Sequence, residues 1–205
     1  MRDRGKALTF LMALASDPLP GFPMLSPSPS SPVLYEVRES SIHNRGVFAT
    51  ADIPPDTRIL EYIGERITKK ESQRRGLELI EKAKQTGEAA VYIFTLNNRY
   101  DLDGAKENNP ARYINHSCDP NCEAFIEKGR VMIYSKRAIA AGEELSYNYG
   151  FELDTWEDHP CRCGTDRCMG YIVDEAHWPA LKRKLKRIIS DAKAKQAGKK
   201  VSQAR

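Results

Sequence analysis

No stretch of the 205-residue chain stays apolar long enough to cross a bilayer. The longest nearly uniform run, Ala7 to Ala15, covers nine residues, where a spanning helix needs about 20, so an integral membrane protein is excluded. Regular alternation of strands with helices is missing as well, which argues against a Rossmann-type sheet. No internal repeat recurs. Cysteine is scarce: all five lie between positions 118 and 168. That odd number, without a secure secretion signal, speaks against a disulfide framework. A strong net charge is absent too, since 32 Lys and Arg stand against 28 Asp and Glu, for +4.

What is present suffices for one domain with tails. Hydrophobic residues make up 40% and charged residues 29%, a balance that supports a folded core. The mild net charge hides an asymmetry. Residues 181–205 carry ten basic residues and one acidic, for +9, and residues 1–32 carry +1. The stretch 33–180 holds 19 basic against 25 acidic residues, for −6. An acidic body suits a cationic partner and a basic tail an anionic one.

The first 32 residues fall into a basic start, a short apolar stretch and the run PLPGFPMLSPSPSSP. Proline and serine at this density cannot nucleate a core, and disorder is expected over residues 1–32. The start mimics a secretory signal, with Arg2, Arg4 and Lys6 before apolar residues and Ala13-Leu14-Ala15 as a cleavage site. Export is not expected, because the cysteine chemistry needs a reducing compartment; a true start at Met24 is the alternative reading.

From Val33 onward the pattern is strand-like. VLYEV, RGVFAT, RILEYI, VYIFTL, VMIYS and ELSYNY are β-branched or aromatic runs separated by Gly, Pro, Asn or Asp clusters. Thr68 and Glu71 form a capping-box signature for a helix running to about Lys84 and closed by Gly87. A second helix is predicted over 176–205, where Leu181, Leu185, Ile188 and Ala192 fall on one face among lysines.

Cys161, Cys163 and Cys168 stand close along a Gly-containing loop, and such thiolates can converge on one tetrahedral ion, with zinc favoured by soft sulfur ligands. Three ligands leave one vacancy, for which Cys118, Cys122, His159 and His177 are candidates. The alternative is a disulfide pair with spare thiols. A closed four-ligand site would be structural, with no open position for catalysis.

The segment Asn109-Pro-Ala-Arg-Tyr-Ile-Asn-His-Ser-Cys-Asp-Pro-Asn-Cys122, with Gly142-Glu-Glu-Leu-Ser-Tyr-Asn-Tyr149 and the Cys161 cluster, resembles a SET-domain protein lysine methyltransferase with its post-SET zinc loop. Asn44-Arg-Gly-Val-Phe-Ala49, Glu61-Tyr-Ile-Gly-Glu65, Tyr92-Ile-Phe94 and Leu102-Asp-Gly104 fall in the family's order. The resemblance covers about 35–173. It implies a mainly β fold of the β-clip type, with small sheets, a few helices and a knot-like C-terminal threading. It also implies a SET domain at 33–152, a post-SET loop at 157–173 and a basic C-terminal tail at 176–205.

The family's cofactor is S-adenosylmethionine. The resemblance places Asn44, Arg45 and Gly46 at its backbone turn, and Tyr92, Asn115, His116 and Tyr149 at the cofactor. The turn lacks the first glycine of the family's Gly-x-Gly form, a mild departure because asparagine tolerates positive φ. Cys118 corresponds to the fourth, distal zinc ligand, which leaves Cys122 a spare thiol and His159 a surface residue. Tyr149 matches the catalytic tyrosine, Tyr62 the tyrosine opposing it across the lysine channel, and Tyr147 the position that carries Phe or Tyr. A hydroxyl at Tyr147 implies mainly monomethylation. Phe151 and Trp156 are expected to complete the channel wall.

The expected function is therefore methylation of a lysine ε-amine in a basic protein, a histone or a DNA-binding protein. A non-catalytic module binding lysine-rich or nucleic-acid partners is the alternative. The tail over 182–205 reads either as a nucleic-acid anchor or as a solvated helix face. A monomer is expected, in the cytoplasm (bacterial and nucleoid-associated) or in a eukaryotic nucleus.

Overall fold

The structure is a computed structural model and describes residues 13–14, 33–86 and 92–203. In chain order its strands are β1 (Ala13–Leu14), β2 (Tyr35–Glu39), β3 (Arg45–Ala49), β4 (Arg58–Tyr62) and β5 (Glu65–Thr68), followed by helix α1 (Lys69–Thr86). Then come β6 (Ile93–Thr95), β7 (Tyr100–Asp103), β8 (Asn115–His116), β9 (Cys122–Glu127), β10 (Arg130–Ser135), β11 (Ser146–Tyr147) and helix α2 (Trp178–Gln203). Four small sheets result, ordered β1-β6-β7-β5, β4-β10-β9, β11-β8 and β2-β3. The expected mainly β architecture with few helices is what the chain adopts. The expected disorder over 1–32 and the closing Gly87 lie outside the described residues, apart from the two residues of β1.

Each predicted strand run overlaps a strand, and in four of the six the strand is shorter than the run. VYIFTL pairs only over Ile93–Thr95, and ELSYNY only over Ser146–Tyr147. Five strands escaped the sequence reading: β1, β5, β7, β8 and β9. Their residues alternate poorly, and β9 reads CEAFIE with carboxylates at both flanks. It is held as a strand by its hairpin partner, Glu127 lying opposite Arg130. Lys128 and Gly129, both at positive φ (50° and 79°), make the tight turn between them. Such a mirror-type turn matches the twist of paired strands.

Helix α1 starts as its cap predicted. The Glu71 amide donates to the Thr68 hydroxyl at 3.2 Å, while the Glu71 carboxylate is engaged by Arg74 and Arg75. Arg75 also reaches Glu65 and Asp103, at 2.9 and 2.7 Å, tying α1 to β5 and β7. Lys69 pairs with the buried Asp101. The end of β7, from which Gly104 follows, is thus fixed by charge as well as by the β ladder.

The main core gathers Val47, Ile53, Leu60, Phe94, Ile114, Val131, Ile133, Ile139 and Leu145 from all the sheets. A smaller core holds Trp156, Val173 and Leu181, with Leu153, Met169, Tyr171 and Leu185 packed against it. Only the first part of α2 is anchored this way. Leu181 is buried and Leu185 half-buried, but Ile188 and Ile189 are 49% and 55% exposed and Ala192 is exposed. The apolar face predicted through Ala192 therefore meets the body only as far as Leu185, because among the described residues no element covers the later turns. No helix among the described residues is long and apolar enough to cross a membrane.

Candidate active site

The parallel pairing of β8 with β11 brings the two longest motifs together, Ser146 opposite Asn115 and Tyr147 opposite His116. Buried Asn121 latches them. Its Nδ2 donates to the Glu144 carbonyl and to Glu143, both at 2.8 Å, and its Oδ1 accepts from the Ser146 amide at 2.8 Å. Residues some thirty positions apart thus line one site.

Along it runs a row of rings. Tyr62 lies 5.6 Å from Phe94, Phe94 6.3 Å from Tyr147, Tyr147 5.1 Å from Tyr149, and Tyr149 5.4 Å from Phe151. The row ends on His159, 5.1 Å beyond Phe151. The three phenols are chemically distinct. Tyr149 donates its hydroxyl proton to the Ile114 carbonyl at 2.9 Å, and Tyr62 donates to the Tyr92 carbonyl at 2.8 Å. With their protons spent on the backbone, both oxygens are left as acceptors. The Tyr147 hydroxyl has no hydrogen-bond partner among the described residues. Burial holds all three phenols above the ordinary tyrosine range, and their mutual proximity adds to the effect.

A polar cradle lies beside the row. Asn115 Nδ2 donates to Glu144 at 2.7 Å, to the Arg45 carbonyl at 3.0 Å and to the Ser40 hydroxyl at 3.2 Å. Ser40 donates in turn to Glu144 at 2.8 Å. Asn44 stands at φ 37°, so asparagine does supply the positive φ expected of that turn. A Cβ at Gly46 would run into the Glu144 carboxylate and push aside the group that Asn115 and Ser40 bind. The Arg45 guanidinium covers the Tyr113 ring at 4.4 Å, and Arg112 covers Tyr92 at 4.6 Å and Tyr113 at 4.9 Å. Tyr92 thus joins the turn through a cation–ring stack.

The sulfurs of Cys118, Cys161, Cys163 and Cys168 all lie within 4.8 Å of one another, and Cys118 is 3.8 Å from Cys161. A tetrahedron with metal–sulfur bonds of about 2.3 Å has edges of about 3.8 Å, so four thiolates so placed could hold a zinc ion. All five cysteines are free. The hydrogen bond from the Cys161 thiol holds Cys118 toward the thiolate, and His116 assists. His116 bridges the two halves of the site, its Nε2 3.5 Å from Cys118 Sγ and its Nδ1 accepting from the Tyr149 amide at 3.2 Å.

Two expectations are corrected. His159 is no surface residue; it is half-buried against Phe151, and burial lowers its basicity. Trp156 does not join the channel wall. It packs at 4.4 Å on Tyr171 in the smaller core, because the turn at 156–158 faces it inward. Of the other candidate metal ligands, Cys122 is buried outside the cluster, its thiol pushed up to about 12 by burial. His177 contacts Glu152 instead. Sequence reasoning assigned no role to Ser40, Arg112, Tyr113, Asn121 or Glu144. All but Ser40 sat inside the quoted motifs, and no local signal marked Ser40.

The comparisons agree with this geometry. The family model of the SET domain matches residues 44–150. The chain is 39% identical over 139 residues to "Histone-lysine N-methyltransferase, H3 lysine-4 specific" of Chaetomium globosum, covering 65% of this chain and 12% of that protein. The similarly named protein of Saccharomyces cerevisiae is 39% identical over 147 residues, 69% of this chain and 13% of the relative. "Histone-lysine N-methyltransferase 2D" of Homo sapiens is 38% identical over 138 residues, 65% of this chain and 2% of that one. The match thus spans 13% or less of each relative's length. The chain belongs to the SET-domain family.

Proposed function

We propose that the chain transfers a methyl group to the ε-amine of a lysine in a basic protein, a histone being the substrate favoured by the relatives' names. The observation that carries this reading is the ring row flanked by two phenols whose protons are committed to backbone carbonyls. Aromatic faces suit an alkyl stem and a cationic centre, and two acceptor oxygens orient an amine through its N–H groups. A free lysine titrates near about 10.4, and desolvation among these rings lowers that value. The phenols stay protonated and serve to align rather than to remove protons; alignment alone accounts for much of the acceleration.

S-adenosylmethionine is the proposed cofactor and, when bound, supplies the methyl group. The cradle suits its amino-acid end: with Asn115 Nδ2 committed to three acceptors, Asn115 Oδ1 is left to accept from an ammonium. Asn44, Arg45, Gly46, Tyr92, Asn115, His116 and Tyr149 are the proposed contacts, with Tyr149, Tyr62 and Tyr147 forming the catalytic set. Structural zinc is assigned to Cys118, Cys161, Cys163 and Cys168. Residues 33–152 are read as the catalytic unit, 157–173 as the zinc loop and 176–205 as a basic arm. Monomethylation is favoured because the unpartnered Tyr147 hydroxyl occupies space, or holds water, that a bulkier amine needs. The relatives named are fungal and mammalian and carry histone names, which favours a nuclear setting and lends no support to a bacterial nucleoid.

The test is titration calorimetry with the cofactor, followed by tritium transfer to histones and to small basic DNA-binding proteins. Cofactor binding with label on lysine is expected. Absence of both would favour the non-catalytic module.

A second reading concerns α2. Lys182, Lys186 and Lys193 recur at helical spacing along one face, with Arg183 and Arg187 beside them. All five are exposed, and Arg187 alone of them forms an ion pair among the described residues, with Asp191 at 4.0 Å. A basic face pointing away from an acidic body supports a nucleic-acid anchor.

A further inference from the structure

Tyr62 is held from both ends by two residues outside the ring row. At its backbone end, the amide of the next residue, Ile63, donates to Asn109 Oδ1 at 3.1 Å. Asn109 is fully buried, and its Nδ2 donates to the Gly104 carbonyl at 3.0 Å. The Gly104 amide donates to the Tyr92 carbonyl at 2.7 Å, and that same carbonyl accepts the Tyr62 hydroxyl at 2.8 Å. The circuit closes from the Tyr62 main chain to its phenol through Asn109, Gly104 and Tyr92.

The Tyr62 phenol also fills the place that a side chain on residue 104 would take. A Cβ at this position would stand 2.3 Å from Tyr62 Cε1 and 2.5 Å from Cζ and from the hydroxyl oxygen. The ring is 3% exposed and packs on Phe94, so it has no solvent to retreat into. Gly104 has no positive φ, which means that the backbone itself would tolerate alanine. The three atoms nearest to such a methyl all belong to the Tyr62 phenol. The glycine is therefore explained by the place it makes for Tyr62.

We infer that Gly104 and Asn109 are positioning residues that seat Tyr62 and so set the bore of the lysine channel, Gly104 being a determinant of which methylation state the site accepts. The inference rests on the methyltransferase reading. An alanine methyl at 104 displaces the ring edge, breaks its bond to the Tyr92 carbonyl and releases the hydroxyl into the row. The narrowed channel then discriminates more strongly against an amine that already carries a methyl group.

The experiment compares wild type with Gly104→Ala on histone H3 tail peptides bearing unmethylated or monomethylated lysine. The expected result is a fall of about tenfold in the ratio of kcat/KM for the monomethylated over the unmethylated peptide, with cofactor affinity unchanged. In a Tyr62→Leu background, which lacks the colliding ring, Gly104→Ala should leave that ratio where Tyr62→Leu alone puts it. An unchanged ratio, or the same fall in both backgrounds, overturns the inference. Carbon-13 tyrosine NMR reads the ring without turnover, Tyr62 being assigned by its loss in Tyr62→Phe. Gly104→Ala should shift that resonance, and an unshifted resonance overturns the seat even if the wild type transfers no methyl. A shifted resonance in an inactive wild type supports the seat and refutes the methyltransferase reading instead. Asn109→Ala tests the other end: a shift of the same resonance is expected in folded protein, and none would remove Asn109 from the circuit.

Discussion

The site's chemistry is decided by where three hydroxyl protons go. Tyr149 and Tyr62 give theirs to the carbonyls of Ile114 and Tyr92, while Tyr147 keeps its proton free of protein partners among the described residues. Because burial raises all three phenols, no tyrosinate is available near neutral pH to act as a base. The rate should rise with pH as the substrate amine loses its proton, and Tyr149→Phe should lower kcat/KM by about a hundredfold without altering that slope. A pH profile of both proteins checks this; a titration step that disappears in the variant would make Tyr149 the base after all. Tyr147→Phe removes only the unpartnered hydroxyl. Di- and trimethyl products should then increase in a mass-spectrometric assay, whereas an unchanged distribution would separate Tyr147 from product control.

At the scale of elements, the cysteine loop joins the site to α2. Cys118 sits two residues beyond His116, which accepts from the Tyr149 amide, and Cys168 is followed by Met169, which packs in the smaller core under Leu181. Chelating zinc should therefore loosen residues 151–172 and abolish transfer. Iodoacetamide can follow the change by mass: after chelation Cys118, Cys161, Cys163 and Cys168 should alkylate, while Cys122, buried and with its thiol pushed up to about 12, should stay unmodified until the fold opens. Alkylation of all four with zinc present would remove them as ligands. Leu181→Ala, at a fully buried anchor, should cost roughly 2–5 kcal/mol in this small core, read as an early local melting of α2 by hydrogen exchange.

The same elements mark what could be read in the sequence. Strands with dense β-branched or aromatic runs, such as β3, β4 and β10, announced themselves, as did the Thr68 cap of α1. The short strand β8 did not, because a two-residue strand is made by tertiary register and carries no periodicity of its own. Within the site, residues inside contiguous motifs were legible, down to the positive φ of Asn44. Ser40 reaches Glu144 across 104 positions of sequence, a contact that no local pattern encodes. Trp156 was misread because an aromatic beside a motif looks the same whether it faces a channel or a core.

For the molecule as a whole, the division of charge separates two interactions that a net +4 conceals. Residues 33–180 carry −6, suited to drawing in a lysine-bearing segment, and 181–205 carry +9. Helix α2 leaves the body after Leu185, and its remaining turns to Gln203 extend about 27 Å at 1.5 Å per residue. The projecting turns hold only Ile188, Ile189, Ala192 and Ala194 as described apolar residues and no aromatic, too little to favour a lipid surface over phosphates. Duplex DNA binding measured by fluorescence anisotropy should weaken steeply with salt, the logarithmic slope falling by about 0.9 for each phosphate contact removed. Replacing Lys182, Arg183, Lys186 and Arg187 by Gln keeps Leu181 and Leu185 in place, so the helix stays docked. That variant should lose most of its DNA affinity and salt slope while methylating a free peptide as wild type does. It should also lose the advantage wild type gains when the same substrate is presented on DNA. Equal DNA binding by the two proteins, or tighter binding of wild type to phosphatidylserine vesicles than to DNA, would rule the nucleic-acid anchor out.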